Sequence, residues 1–271
     1  MAKLTDIQWC DSSNNPQMGC EGCELVKGRE KPVCYAKMLT DRWAGVNKGW
    51  PLAFEQPKIF MERIPPMLQW QDLTGKPRIT KEWLNGLPRL VFLNDMGDTF
   101  TQGLPVDWFA DVTALIKNSR HQYLVLTKWP HRFVEFSKRH QLPANVWPGT
   151  SVTMQKTLFR ARHIRQVQTS STKWLSIEPL WGHIDFGDSL QGIQWVVVGG
   201  ESGKHNPAPC SVQNILHVVN SCRAAGIPVF VKQMGSYLSK QMALRDGHGG
   251  DWHEWPQELQ VREMPTLNLK P

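Results

Sequence analysis

Three cysteines stand close together near the start of the chain, in the stretch MGCEGCELVKGREKPVCYA. Cys20, Cys23 and Cys34 follow a C-x2-C-x10-C spacing. Thiolates are metal ligands, and no fourth ligand is obvious beside these three. The spacing therefore predicts a metal centre with one open coordination position, which a catalytic centre needs and a closed structural zinc site avoids. We expect the chemistry of this protein at this cysteine loop.

The cysteines allow three other interpretations. Unpaired core thiols fit poorly, because the surrounding segment is rich in Gly, Glu and Lys. Disulfides fit poorly because the chain opens with the polar stretch MAKLTDIQ and not with a signal peptide, which favours a reducing cytoplasm. A zinc site remains as the alternative, with Cys10 as the fourth ligand. The spacing favours iron–sulfur over zinc.

The composition limits the class of protein. The chain has 271 residues, of which 41% are hydrophobic and 20% charged, as in an ordinary soluble protein. No apolar run approaches the roughly 18 residues that a membrane span needs. The net charge of +7 indicates a polyanionic partner such as nucleic acid, although the basic residues are scattered.

Short apolar runs alternate with helical patterns along the chain, with about eight such repeats and no long linker. This alternation predicts an α/β fold: a single (β/α) TIM-like barrel over residues 1–271, complete or partly open, with a loop-like tail from about residue 247. The predicted strands are Ile7–Cys10, Leu52–Phe54, Phe92–Phe100, Tyr123–Lys128, Val146–Val152, Trp174–Pro179, Trp195–Gly203 and Pro228–Gly235.

Three helices follow from apolar residues at helical spacing. The first has Trp108, Phe109, Val112, Leu115 and Ile116 on its apolar face. The second covers Thr157–Gln168, with Arg160, Arg162, His163 and Arg165 on a charged, solvated face. The third begins after Ser211 as N-cap and ends at Gly226, which places Cys222 in the core.

Polar side chains follow most of the predicted strands. In a barrel of this type the chemistry lies at the C-terminal ends of the strands. A buried acid or lysine at such an end is costly unless it is paired or used. The candidate catalytic residues are Asp95, Lys128, Glu178 and Lys232, among the polar strand-end residues Asn94, Asp98, Thr127, Ser151, Thr153, Ser176, Glu201, Ser202 and Gln233.

The segment GGESGKHN, residues 199–206, follows the seventh predicted strand. Its glycines permit backbone N–H groups to face an anion, but the spacing before Lys204 and the His205 that follows it do not match a phosphate-binding Walker A loop. Its carboxylate suits an amino group or ribose hydroxyls. We therefore predict a cofactor-binding segment at Gly199, Gly200, Glu201 and Ser202.

The strand-end segments LND-GD, LTKWPHR, SIEPL, VVGGESG and FVKQMG, together with the cysteine loop and the tail EWPQELQVREMP (Glu254–Pro265), carry a family resemblance. The chain resembles the phage protein family of gene products thirty-seven and sixty-eight, a domain of unknown function. That family in turn resembles the radical S-adenosylmethionine enzymes. Their usual spacing is C-x3-C-x2-C, and their GGE segment follows the second strand.

The resemblance implies a [4Fe–4S] cluster on Cys20, Cys23 and Cys34, with S-adenosylmethionine on the fourth iron and Glu201 near its methionyl amino group. The implied activity is release of a 5′-deoxyadenosyl radical that abstracts hydrogen from an unknown substrate, possibly a nucleic acid. Such an enzyme needs a reductant protein such as flavodoxin or ferredoxin. The alternative function is a zinc-stabilised nucleic-acid-binding module without catalysis.

Overall fold

The computed structural model describes residues 3–28, 30–203 and 206–267. The chain forms two compact units, each assembled from three stretches of sequence. The first unit contains Met1–Pro77, Gly86–Pro148 and Val167–Ser171. The second contains Arg78–Asn85, Gly149–Gln166 and Thr172–Pro271.

The elements of the described residues alternate between strand and helix. The strands are β1 (Ser12–Asn14), β2 (Gln17–Met18), β3 (Lys58–Ile59), β4 (Leu90–Leu93), β5 (Gln122–Thr127), β6 (Val146–Ser151), β7 (Trp174–Ile177), β8 (Trp195–Gly199) and β9 (Val229–Gln233). The α-helices are α1 (Tyr35–Trp43), α2 (Ile64–Leu68), α3 (Trp108–Ile116), α4 (Pro130–Arg139), α5 (Phe159–Ile164), α6 (Val212–Ala224) and α7 (Gly235–Gln241).

Within each unit the strand pairs other than β2–β3 are parallel, and the strands lie in the same order as in the sequence. In the first unit β4 pairs with β1 and with β5. In the second unit β7 pairs with β6 and β8, and β8 pairs with β9. Parallel strands buried on both faces explain the continuous apolar runs, such as the fully buried β4 and β8. The predicted α/β class with parallel strands is confirmed.

Aromatic side chains fill much of the core. In the first unit the rings of Phe100 and Phe133 have centroids 4.3 Å apart, and Phe109 and Phe136 pack against Phe100 at 5.7 Å each. In the second unit Trp174 and Trp195 stack at 5.4 Å. Gly149 makes room for this pair, because a Cβ there would lie 2.3 Å from the Trp174 indole nitrogen.

Two predicted strands are wrong. The chain turns at Ile7–Cys10, and the first strand is instead β1. Apolar periodicity missed β1 because its side chains are polar. The buried Asn14, for example, donates its side-chain amide to the Arg63 carbonyl at 2.9 Å. The segment Leu52–Phe54 is also a turn. The neighbouring β3 pairs antiparallel with β2.

The third predicted strand, Phe92–Phe100, is too long. The strand ends at Leu93, because Asn94 takes a left-handed backbone with φ 62°. Its side-chain oxygen accepts the Gln17 N–H at 2.8 Å, and its amide donates to the Thr99 hydroxyl. Asn tolerates this conformation better than most residues. The residues that follow, including Asp95 and Asp98, thus lie in a loop.

The predicted helices at α3 and α6 are confirmed. The predicted helix Thr157–Gln168 is too long, because α5 covers only Phe159–Ile164 and follows a 3-10 turn at Gln155–Thr157. The Ser211 hydroxyl accepts the Asn214 N–H at 3.1 Å and caps α6, whose buried face includes Cys222. Leu115 of α3, predicted in the core, is 47% exposed. Arg160 of α5, predicted on a solvated face, is buried and donates to the Ser151 carbonyl. In the part of the chain that the structure describes, no helix has the length and apolar character to cross a membrane.

Candidate functional site

The cysteine loop of the first unit begins where β2 ends. The Gly19 N–H donates to the Met96 carbonyl at 2.9 Å, and the Cys20 N–H donates to the Phe54 carbonyl at 2.8 Å. Gly19 has φ 82°, and a Cβ there would lie 2.6 Å from the Phe54 oxygen. The close backbone approach therefore requires glycine immediately before the first cysteine.

The rest of the loop is held by short-range hydrogen bonds. The Cys23 carbonyl accepts from the N–H groups of Val26 and Lys27. Cys34 is the N-cap residue of α1, and its carbonyl accepts the Met38 N–H at 3.1 Å. Cys20 is buried with a cluster of apolar residues, and Cys34 packs against the same cluster, which contains Met18, Ala36, Phe54, Phe60 and Met96.

The environment of Cys20 and Cys23 favours the neutral thiol over the thiolate, because the net shift of the pKa is upward for both. Burial raises the pKa of Cys20, and nearby negative charge on Asp98, Cys34 and Cys23 raises it further, so the three sulfurs are electrostatic neighbours. The backbone N–H of Gly22 donates to the Cys20 sulfur and lowers its pKa. For Cys23, burial raises the pKa, while Lys128 and the Leu25 N–H lower it.

The sulfurs do not converge on a common point. Within residues 3–28, 30–203 and 206–267, no group of three or more His, Cys, Asp or Glu side chains is arranged to hold a metal ion. All six cysteines lie in these ranges, and none of them is joined to another by a disulfide bond. Cys10 and Cys222 are both fully buried. Three neighbouring thiols are the right ligand type for a sulfur-ligated centre, but their positions in the described residues do not form one.

Asp98 connects the ends of β4 and β5 behind the cysteine loop. Its carboxylate accepts the Thr127 hydroxyl at 2.6 Å, the Lys128 N–H at 2.8 Å and the Phe100 N–H at 3.0 Å. Burial raises its pKa. Three donors on one buried carboxylate make it a positioning group for the Lys128 backbone.

Lys128 lies among negative groups of the cysteine loop. Burial lowers its pKa, but the charges of Cys23, Glu24 and Asp98 act in the opposite sense, and the net shift is upward. A lysine that remains an ammonium is a counter-ion for thiolates and not a proton acceptor. Lys128 is close enough to Cys23 for their charges to interact. Its catalytic role stays a prediction.

Asp95 is anchored by its neighbours. Its carboxylate accepts the Asn15 amide at 2.6 Å, and its backbone carbonyl accepts the Tyr35 hydroxyl at 2.6 Å. Burial raises its pKa. Asp95 therefore connects the end of β1 to the first turn of α1, next to Cys34.

Sequence reasoning missed Arg63. Its guanidinium stacks on Phe60 at 3.9 Å and donates to the Asn15 carbonyl and to the Met18 sulfur, at 2.8 and 3.0 Å. It also bonds the Gly49 carbonyl. Burial lowers its pKa. In the sequence Arg63 is a single arginine between Glu62 and Ile64, and no periodic pattern distinguishes it from other arginines.

The second unit brings two of the predicted catalytic residues together. Glu178 follows β7 directly, Lys232 lies in β9, and the ammonium and carboxylate are 2.5 Å apart. Each side chain is 18% exposed, so the pair is accessible from solvent. The Glu178–Pro179 peptide bond is cis.

The GGE segment is packed against the end of β9. The Gly200 N–H donates to the Gln233 carbonyl, and the Gln233 amide donates to the Gly200 carbonyl. A Cβ on Gly200 would lie 2.1 Å from the Met234 oxygen. The second glycine is therefore required by backbone packing, whatever else the segment does.

Glu201 is buried, and its carboxylate accepts the Trp181 indole N–H at 2.7 Å. Its carbonyl accepts the Ser236 N–H. Ser202 is exposed and Gly199 ends β8. Lys204 and His205 lie outside the described residues.

A protein-family model described as "Protein of unknown function (DUF5131)" matches residues 4–259 of the chain. No curated protein and no solved structure matches it.

Proposed function

We propose that this chain, which belongs to the DUF5131 family of proteins of unknown function, is an iron–sulfur enzyme of the radical S-adenosylmethionine type. We also propose the finer family resemblance, to the phage gene products thirty-seven and sixty-eight, and a single, partly open (β/α) barrel domain. The observation that carries the proposal is the set of three neighbouring thiols, two of which already accept backbone N–H hydrogen bonds.

Cys20, Cys23 and Cys34 are the residues that would hold a [4Fe–4S] cluster. Their sulfurs lie after the first parallel strand, beside the loops that follow β4 and β5. When bound, the cluster supplies an electron for reductive cleavage of S-adenosylmethionine, and the resulting 5′-deoxyadenosyl radical abstracts hydrogen from a substrate. The N–H donors and the Lys128 ammonium stabilise negative charge on the sulfurs.

Three polar groups within the second unit are also candidate binding groups in this proposal. Glu201 is a buried carboxylate with one oxygen bonded to Trp181, which leaves acceptor capacity for an amino group. Glu178 and Lys232 present opposite charges at one accessible place. They suit a substrate with both a donor and an acceptor, and a nucleotide meets that requirement.

The test is anaerobic purification followed by iron and sulfide analysis. We expect about four irons and four sulfides per chain, a brown protein, and 5′-deoxyadenosine after incubation with dithionite and S-adenosylmethionine. Cys23→Ala should abolish cluster loading. Cys222→Ala is the matched control, because Cys222 is a core residue of α6, and it should load normally.

A colourless protein with one zinc per chain would replace this proposal by the zinc-stabilised nucleic-acid module, with Cys10 as the fourth ligand. A fully loaded cluster that yields no 5′-deoxyadenosine would retain the iron–sulfur centre and remove the radical reaction.

A further inference from the structure

One phenylalanine of the second unit faces solvent. Phe159, the first residue of α5, is 53% exposed, whereas the other nine phenylalanines of the chain are buried. The buried side of α5 consists of other residues, among them Ala161 and Ile164. A single exposed ring is ordinary on a protein surface, and what distinguishes this one is the set of side chains around it.

The side chains around the ring are basic. Lys156 precedes Phe159 by three residues, Arg162 follows it by three and His163 by four, which is the spacing of neighbours on one side of a helix. The His163 imidazole packs edge-on against Phe159, with ring centroids 5.9 Å apart. Lys156 is exposed, and the Arg162 side chain is 68% exposed. We call Lys156, Phe159, Arg162, His163 and Gln166 the α5 face; residues 155–168 contain no Asp or Glu.

Two carboxylates of a neighbouring loop offset part of this charge. Asp188 lies 3.8 Å from Arg162 and 3.8 Å from Arg165, and Asp185 is exposed three residues earlier in the same loop. Exposed pairs at such a distance are weak, so the Arg162 guanidinium remains available to a ligand. The Lys173 ammonium donates to the Arg165 carbonyl at 2.7 Å and adds a further positive charge. Together with Lys156, these contacts bring four cations and two carboxylates to one surface, so its net charge is positive.

A single ring among cations fits a single-stranded nucleic acid better than a protein. Interfaces between proteins have a core of several apolar side chains. Exposed apolar side chains occur together on α1, at Met38, Leu39 and Trp43, but Phe159 is the only apolar member of the α5 face. A single strand presents an unstacked base to such a ring and phosphates to the cations beside it. A duplex keeps its bases stacked, so it offers the phosphates without the base.

We propose that the α5 face binds single-stranded nucleic acid, with one base stacked on Phe159 and the adjoining phosphates bound by Lys156 and Arg162. Stacking and phosphate contacts tolerate any base, so the binding is not sequence-specific. The net charge of +7 on the chain acts in the same direction, because it attracts a polyanion from a distance. The inference is independent of the proposed function, since it uses no residue of the cysteine loop and needs no metal.

The test measures the fluorescence anisotropy of a labelled oligothymidine titrated with the full chain at several salt concentrations. Phe159→Ala removes the ring and keeps the charge, and its matched control is Leu115→Ala, an exposed leucine on α3. Arg162→Gln removes one charge and keeps the ring, and its matched control is Arg223→Gln on the exposed side of α6. All four positions have side chains in solvent, so the fold is retained. The same oligothymidine annealed to its complement serves as the duplex probe.

We expect Phe159→Ala to weaken single-strand binding about tenfold, as the loss of one stacked base does, without changing its dependence on salt. Arg162→Gln should weaken binding at low salt and reduce the slope of log affinity against log salt by about 0.7, because one phosphate contact is lost. Both control variants should bind as the wild type does. Duplex binding should be insensitive to Phe159→Ala.

A wild type that does not bind oligothymidine would overturn the inference, as would wild-type affinity in both Phe159→Ala and Arg162→Gln. An equal loss of duplex and single-strand binding in Phe159→Ala would overturn the stacked base. Polyglutamate that displaces the oligonucleotide at the same concentration of charge would assign the face to an acidic protein instead. The titration needs neither iron nor S-adenosylmethionine, so its failure is distinguishable from failure of the proposed function.

Discussion

The charged residues near the cysteine loop differ in role: some interact with the sulfurs through their charge, and others accept hydrogen bonds that hold the backbone. The Lys128 ammonium interacts with the negative charge of Cys23, whereas the Asp98 carboxylate accepts a hydrogen bond from the Lys128 N–H. The Asp95 carboxylate accepts a hydrogen bond from Asn15, and the Asp95 backbone carbonyl accepts one from Tyr35. The polar residues at these strand ends thus include anchors as well as candidate reactive groups, and the two can be separated by substitution.

Asp98→Ala should lower the free energy of unfolding by about 2–4 kcal/mol, because it leaves the Thr127 hydroxyl and two backbone N–H groups buried without their acceptor. Urea denaturation measures the change. Asp111→Ala, at an exposed position of α3, is the control and should stay within about 0.5 kcal/mol of wild type. Equal stability of the two variants would show that Asp98 does not order these loops.

The Glu178–Lys232 pair allows a double-mutant cycle. Glu178→Gln and Lys232→Met should each destabilise the protein, and the double variant should lose less than the sum of both. Because each group is 18% exposed, we expect a coupling of about 1 kcal/mol, between that of surface and buried pairs. Chemical denaturation of the four proteins gives the value, and additive losses would mean that the two charges do not interact.

Among the elements, the sequence predicted those whose apolar pattern is strong. Helix α6, capped at Ser211, is one example, and the buried strands β5 and β8 are others. The sequence-based prediction failed where an element depends on something other than apolar periodicity. Strand β1 is polar, so no hydrophobic pattern marks it, and the end of β4 depends on the left-handed Asn94.

The site was predictable to a similar extent. The spacing of the cysteines and the polar strand ends pointed to the groups that the structure places near one another, such as Glu178 and Lys232. The roles of Arg63 and Tyr35 depend on contacts with residues that are distant in the sequence. The exposure of α1 depends on how the rest of the chain packs. A single sequence holds no local signal for either.

The C-terminal segment pairs with β9 on either side of Arg262: the Val231 N–H donates to the Val261 carbonyl at 2.8 Å, and the Glu263 N–H donates to the Val229 carbonyl at 3.0 Å. The Arg262 guanidinium lies 4.3 Å from the Trp83 ring and donates to the Gly250 carbonyl at 2.9 Å. Burial lowers its pKa to about 10. Further rings surround it at 5.1 to 5.5 Å, from Trp252, Trp255 and Phe230.

Arg262→Ala should lower the free energy of unfolding by about 2–4 kcal/mol, because it removes partly desolvated cation–π contacts and charged hydrogen bonds together. Hydrogen exchange should accelerate in residues 250–263, ahead of the rest of the second unit. Arg223→Ala, on the exposed side of α6, is the control and should leave both measurements unchanged. Unaltered exchange in the tail of Arg262→Ala would mean that other contacts hold it.

At the scale of the whole molecule, the two units contain different candidate groups: the three neighbouring thiols Cys20, Cys23 and Cys34 in the first, and the Glu178–Lys232 pair in the second. In the proposed iron–sulfur enzyme, a cluster would hold together three thiols that do not converge here. Its binding free energy would then appear as stability of the cysteine loop. Saturation at 100 times the dissociation constant adds about 2.7 kcal/mol. That gain should be local to the first unit.

In the proposed iron–sulfur enzyme, removal of iron by a chelator should therefore increase hydrogen exchange in residues 20–43, which contain the cysteine loop and α1. Peptides covering residues 195–233, which include β8, α6 and β9, serve as the internal control and should exchange at the same rate with and without iron. Mass spectrometry of the same digest reports both. Loss of protection in the control peptides alone would place the metal away from Cys20, Cys23 and Cys34, because ordering on binding must be largest where the ligands are.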